Sequence, residues 1–290
     1  MRVIVIGTSG QLATELHRQA PGGALELFAP EKLDASSQSS LCELLDRARP
    51  ELIINASAYT AVDRAETERE RAFAVNETAP RLMAEWCRAQ NAALFHISTD
   101  YVFDGQKSDA YREDDATAPL GIYGQSKLAG ERAVRAALPR HLIVRTSWVF
   151  SAHGQNFVKT MLRLARERDE LRVVADQHGR PTSAADLARV LWTLATRLAA
   201  ERELAWGTYH FAGAGETTWY DFAVAIVEQQ RAVTGRAPRV TAIGTADYPT
   251  PARRPAHSTL DTARFEGTFG LAPHAWRDDL QEVVRHLLAP

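Results

Sequence analysis

Up to about residue 150 the chain alternates short, unbroken apolar runs with longer segments whose apolar residues recur at helical spacing. The runs span Arg2 to Ile6, Ala24 to Phe28, Glu51 to Asn55, Ala93 to Ile97 and His141 to Arg145. Runs of this kind, with no polar alternation, belong to strands buried on both faces of a parallel sheet. Between the third and fourth lies a long Ala/Glu/Arg-rich helical stretch with Asn76 near its middle and Pro80 as a candidate kink. Beyond residue 150 the alternation loosens. Helices are predicted at Asn156 to Arg168, Ala184 to Leu198, Thr218 to Gln230 and Trp276 to Leu288, with short strands near Leu171 to Val174 and Thr208 to Phe211. No internal repeat or low-complexity linker interrupts the chain. The pattern predicts an α/β protein: a doubly wound parallel sheet over residues 1–150 and a smaller C-terminal α/β lobe over 151–290, with some chain crossing back to the sheet.

Chemistry collects where the strands end. The first run leads into Gly7-Thr8-Ser9-Gly10-Gln11-Leu12-Ala13 and a helical pattern through Leu16 and His17. Strand, glycine turn and helix in that order form a phosphate cradle. Gly7 permits the turn, Gly10 lets backbone approach a pyrophosphate, and small Ala13 allows close helix packing. This makes the sheet Rossmann-type, with a dinucleotide held by Gly7, Gly10, Gln11 and Leu12 and its adenosine end near Pro30 to Asp34 and Ala35. An acidic residue there suits a free ribose hydroxyl and a basic one a 2'-phosphate, but Glu31 and Lys32 stand side by side, so NADH and NADPH both remain open. After the third run, Ala56-Ser57-Ala58 supplies the small residues a loop needs beneath a flat cofactor. After the fourth, Ser98-Thr99-Asp100 brings polar groups to a strand's carboxyl end, where open α/β sheets build their sites.

Tyr123 and Lys127 lie four residues apart, hence on one face of a helix. A neighbouring ammonium favours the phenolate, so the pair reads as an acid/base whose phenol is made more acidic by its lysine. The bulk numbers limit what this chemistry can act on. A formal net charge of -2 and no run of five like charges leave no footprint for nucleic acid or an anionic membrane. No stretch approaches the ~20 apolar residues of a membrane span, and the opening run is too short for a signal peptide, so a cytoplasmic protein is expected. Cys42 and Cys87 lack metal spacing and read as two reduced, buried thiols.

With these motifs in place, the chain resembles the extended short-chain dehydrogenase/reductases, and within them the dTDP-4-dehydrorhamnose reductases. The likeness covers essentially the whole length, through Gly7 to Leu12, Asn55 to Asp63, Ser98 to Phe103, Tyr123 to Glu131, Arg145 to Phe150, Asn156 to Met161 and Tyr248 to Pro255. It implies reduction of the C4 ketone of a dTDP-4-keto-6-deoxy sugar by NADH or NADPH. Tyr123 would donate the proton, Lys127 would hold the nicotinamide ribose and lower the phenol's pKa, and Thr99 would hydrogen-bond the carbonyl oxygen. Related dehydratases carry an extra carboxylate after the corresponding Asp. Here Asp100 is followed by Tyr101, which favours simple reduction. The resemblance sets Asp100 on sugar hydroxyls and Trp148 against the substrate, with Asn156, Gln177 and Arg254 as candidates for the nucleotide diphosphate and base. Some relatives are Mg2+-dependent dimers. Glu15 falls where one bridging acid could lie, but the stretch Ala184 to Arg189 carries a single carboxylate, so no metal is expected and a homodimer is left open. Competing readings are a non-catalytic, reductase-like binding subunit and an epimerase that retains its cofactor; the presence of Thr99, Tyr123 and Lys127 together argues for chemistry.

Overall fold

A computed structural model describes residues 1–23, 25–28 and 37–289. Six parallel strands form the central sheet in the order Gly207–His210, His141–Thr146, Ala93–Thr99, Leu52–Asn55, Arg2–Ile6, Glu26–Phe28. Successive side chains of a strand point to opposite faces, and this sorts the apolar runs. Val3, Val5, Leu52, Ile54, Phe95, Leu142 and Val144 face one layer, built from the helices Gln11–Arg18, Ala184–Glu201 and Ala263–Phe269. Ile4, Ile6, Ile53, Leu94 and Ile143 face the other, built from Gln38–Ala48, Ala79–Gln90 and Ile122–Ala137. A strand covered on both sides has no solvent face to make polar, which is why the runs are unbroken.

The two halves of the chain are interleaved. The helix Ala184–Glu201 packs beneath the sheet, where Trp192 donates its indole N–H to the Leu16 carbonyl at 2.9 Å, and the strand Gly207–His210 pairs with His141–Thr146. What remains beside the sheet is a lobe of the helices Phe157–Glu167, Trp219–Thr234 and Trp276–Leu288 over the paired strands Glu170–Val174 and Arg239–Ile243. Cys87 is buried, whereas Cys42 is only half-buried, unlike the expected pair of buried thiols. Among the described residues no helix is long and apolar enough to cross a membrane.

The long helical stretch around Asn76 is broken by a π-helical turn, Ala74–Thr78, instead of a simple proline kink. Pro80 has no N–H to give to the carbonyl four residues back, so the Asn76 carbonyl is released from the helical ladder. Gly130 of the helix Ile122–Ala137 seats against it: a Cβ there would lie 2.0 Å from the Asn76 oxygen. Gly130→Ala therefore sets a helix-propensity gain of ~1 kcal/mol against a backbone clash. Overpacking costs ~1–3 kcal/mol, and since a carbonyl cannot rotate away as a side chain can, the clash wins. Urea unfolding should show a net loss of stability; a variant as stable as the parent would mean these two helices do not meet.

Candidate active site

The carboxyl ends of the strands open on a cleft of about 760 Å³. One wall is the glycine turn. Gly7 has φ +131°, where a side chain would be strained, and a Cβ there would stand 3.3 Å from the Ala13 Cβ and the Ala56 backbone. Strand and helix can approach this closely only because position 7 carries no side chain. The helix Gln11–Arg18 starts at Gly10 without a capping side chain or an acid in its first turn, and a Cβ at Gly10 would meet open space. Its leading N–H groups and the positive end of its dipole are thus available to an anion. Ala56, Ser57 and Ala58 line the floor. A dinucleotide fits this donor set. Asp34 and Ala35, together with Glu31 and Lys32, lie outside the described residues.

The helix Ile122–Ala137 carries the acid/base face. Its N-cap, Gly121, has no side chain to offer, and Glu66 takes the role instead, its Oε1 accepting the Ile122 N–H at 2.9 Å. Tyr123, Lys127 and Glu131 follow one another a turn apart. Glu131 is buried and bidentate with Arg145 at 2.8 and 2.8 Å, and it accepts from Ser98 Oγ at 2.6 Å. Lys127, also buried, donates its ammonium to the Ile97 carbonyl at 2.6 Å. Asn76 ties the cleft floor to the same helix, with Oδ1 accepting the Tyr59 N–H at 2.9 Å while Nδ2 donates to the Tyr59 carbonyl and to Ser126 Oγ.

The electrostatics differ from the expectation of a lysine-acidified phenol. Burial pushes Tyr123 up to about 12; the Thr99 hydroxyl lowers it and Asp100 raises it, and Lys127 is not among the groups acting on it. Lys127 is itself brought down to about 8 by burial, partly offset by Glu131. Spacing put the two side chains on one face, but desolvation outweighs the charge effect that spacing alone suggested. Behind Tyr123, Thr99 Oγ1 donates to Asp100 Oδ1 at 2.9 Å and accepts the Tyr101 N–H at 3.2 Å. Burial raises the Asp100 carboxyl to about 6, against smaller lowering effects from the Ser258 and Thr99 hydroxyls.

The family model described as RmlD substrate binding domain matches residues 1–289. The chain belongs to this family. It is 44% identical over 97% of its length to a dTDP-4-dehydrorhamnose reductase of Aggregatibacter actinomycetemcomitans, covering 98% of that protein. Among solved structures, a dTDP-4-dehydrorhamnose reductase from Clostridium acetobutylicum superposes with a TM-score of 0.90 at 36% identity, over 99% of both chains. One from Bacillus anthracis, in complex with NADP, gives 0.86 at 35% identity, over 98% of this chain and 99% of that one.

In this member of the RmlD family the structure brings most of the expected residues together: Gly7, Gly10, Gln11, Leu12, Ala56 to Ala58, Thr99, Asp100, Tyr123, Lys127, Trp148 and Asn156 all line the cleft. Gln177 and Arg254 do not. Gln177 is buried and donates to Thr245 Oγ1 at 3.0 Å. Arg254 forms a bidentate pair with Asp63, at 3.1 and 2.9 Å, tying its loop to the helix Val62–Ala65. Asn156 is committed locally: it caps the helix Phe157–Glu167 and donates to Gln11 Oε1 at 2.9 Å, joining the lobe to the glycine turn. Asp100 faces Thr99 rather than standing free in the cleft.

Sequence reasoning missed Trp219. Its ring stacks on Trp148 with centroids 3.6 Å apart and planes 9° apart. Trp148 has φ 47°, a left-handed conformation unusual for a bulky residue, at the turn between the strands His141–Thr146 and Val149–Phe150. The only sequence signal for Trp219 was its place directly after Thr218, the N-cap of its helix. Of the acidic groups weighed for a metal, Glu15 lies with Arg18 and His153, at 3.3 and 3.5 Å. Asp186 approaches His274 and Asp279 but is already paired with Arg189 at 2.6 Å.

Proposed function

We propose that this chain is an NAD(P)H-dependent reductase that converts the C4 ketone of dTDP-4-dehydro-L-rhamnose to the alcohol of dTDP-L-rhamnose, the last step of dTDP-rhamnose biosynthesis. The observation that carries the reading is the convergence of Thr99, Tyr123 and Lys127 on the cleft that begins at the Gly7 turn. The family membership and the NADP-bound relative support it. When bound, the coenzyme supplies a hydride to the carbonyl carbon.

The residues of the chain do the rest. The N–H groups after Gly10 hold the pyrophosphate, and Ala56 to Ala58 leave room for a flat ring. Lys127, anchored on Ile97, holds the nicotinamide ribose. Charge builds on the ketone oxygen during reduction, and Thr99 and Tyr123 present hydroxyls there, Tyr123 giving up its proton. A phenol raised to about 12 stays protonated at neutral pH, which is the state a proton donor needs. The stacked faces of Trp148 and Trp219 form an apolar wall suited to a deoxy sugar. A reduced coenzyme and a nucleotide sugar are metabolites of the cytoplasm, so the proposal carries a cytoplasmic location.

Purified protein mixed with reduced coenzyme and the 4-keto nucleotide sugar should bleach the reduced-nicotinamide absorbance, and neither reactant alone should do so. Tight binding of both with no bleaching would mark a binding subunit instead. Protein that purified with NAD in place and turned over without added coenzyme would mark an epimerase.

A further inference from the structure

If Tyr123 gives its proton to substrate, every turnover leaves a phenolate in surroundings that disfavour it. The phenolate must be reprotonated before the next cycle. Lys127, the nearest cation on its helix face, has its ammonium on the Ile97 carbonyl. On the other side stands Thr99, and behind it Asp100, 2% exposed, with Oδ1 on the Thr99 hydroxyl, Oδ2 buried, and the Ser258 hydroxyl beside the carboxyl. The groups around this carboxyl are neutral: the hydroxyls of Thr99 and Ser258 and the rings of Tyr101 and Tyr123. Asp63 and Arg254, the opposed charges that act on Tyr101, are paired with each other.

We infer that Asp100 stores the proton that restores Tyr123 after each turnover and passes it through the Thr99 hydroxyl. The step balances. The Asp100 O–H bond breaks as an O–H bond forms on Thr99 Oγ1, and the hydrogen Thr99 carried before forms the new O–H of Tyr123. No electrons are exchanged, and Asp100 is left as a carboxylate. Thr99 Oγ1 is satisfied at both ends of the transfer. Beforehand it would accept from the Tyr101 N–H and from the carboxyl and donate to the phenolate; afterwards it keeps the two bonds observed at rest, from the Tyr101 N–H and to the Asp100 carboxylate, with the neighbouring Tyr123 hydroxyl as its second donor. The inference requires that water entering the emptied cleft, which Asp100 borders, return the proton to its carboxyl. The direction is downhill, from a carboxyl near 6 to a phenolate whose acid lies near 12.

Asp100 acts through Thr99, so the test must separate proton supply from folding and from sugar binding. This inference rests on the proposed reductase activity, and the wild-type assay tests that first: no coenzyme oxidation by wild type defeats the activity itself. Given an active wild type, Asp100→Asn keeps the acceptor for the Thr99 hydroxyl but has no proton to release. In rapid mixing it should show a first turnover as fast as wild type, equal to the enzyme present, because Tyr123 starts protonated. Steady turnover should then fall roughly 100-fold, the lower end of general acid/base contributions, with KM little changed. The wild-type kcat should decline as pH rises through the Asp100 titration near 6, a limb that needs no variant to observe and that Asp100→Asn should lack. A slowed first turnover, or a raised KM with unchanged kcat, would make Asp100 a structural or sugar-binding residue. A limb near 8 that survives in Asp100→Asn would give the role to Lys127. Either result overturns the proposal.

Discussion

A Tyr123→Phe variant should lose roughly 100- to 10,000-fold in kcat, the range of a general acid's contribution, while binding reduced coenzyme as wild type does. The substitution removes one oxygen and little else. The ring keeps its edge contact with Tyr101, at 5.7 Å between centroids, and Lys127 keeps its anchor on Ile97. Thr99 remains to hydrogen-bond the ketone oxygen but has only its own alcohol proton to give. Coenzyme fluorescence titration and steady-state kinetics separate the two effects. Near-normal turnover in this variant would remove Tyr123 from the chemistry, and loss of coenzyme binding would make its role one of shape.

The second large effect falls on stability. Burial alone pushes the Glu131 carboxyl up, but the hydrogen bonds and charge of Arg145, with help from Ser98 and Arg135, more than reverse this and hold it below the usual carboxylate value. Removing one partner of such a buried pair costs about 3–5 kcal/mol, because the other charge is left in a low-dielectric site with nothing to balance it. Glu131→Gln should show a loss of that size in urea unfolding. A double variant, Glu131→Leu with Arg145→Met, should recover much of it, since it removes both charges and keeps the volume. A folded pKa below the unfolded one means this contribution is complete above the unfolded carboxylate's range. It is lost as pH falls through the folded value, so the gap between Glu131→Gln and the parent should close on acidification. A variant within 1 kcal/mol of wild type at neutral pH would mean the pair is not buried as described. The pair matters to function because it fixes the rotation of the helix that also presents Tyr123 and Lys127.

Much of the architecture was legible because the inner strands of the sheet are covered on both sides. Burial of that kind writes itself into sequence as unbroken runs such as Val3 to Ile6, and glycine at the end of the first run marks where a backbone must turn. The site's members were legible where spacing along one helix decides the outcome, as for Tyr123 and Lys127. Contacts between distant segments were not. Trp148 and Trp219 meet although they stand 71 positions apart in the chain, and nothing local in either segment requires it. The π-helical turn at Asn76 depends on Pro80 but also on Gly130, which belongs to another helix. The charge of Arg254 can be read from sequence, but not the Asp63 carboxylate that it is paired with. The acidity of Tyr123 was misjudged for the same reason. A sequence displays the charge four residues away, but not the burial that outweighs it or the Ile97 carbonyl that occupies that charge.

In the proposed reaction this cleft joins a nicotinamide hydride to a C4 ketone. The most direct measurement uses coenzyme deuterated at both C4 positions of the reduced ring, with dTDP-4-dehydro-L-rhamnose and the wild-type protein, followed by mass and NMR analysis of the product. One deuterium per product molecule is expected, located at sugar C4, with one coenzyme oxidised for each. Product without deuterium at that carbon, or coenzyme left unoxidised in the presence of the ketone, would contradict it.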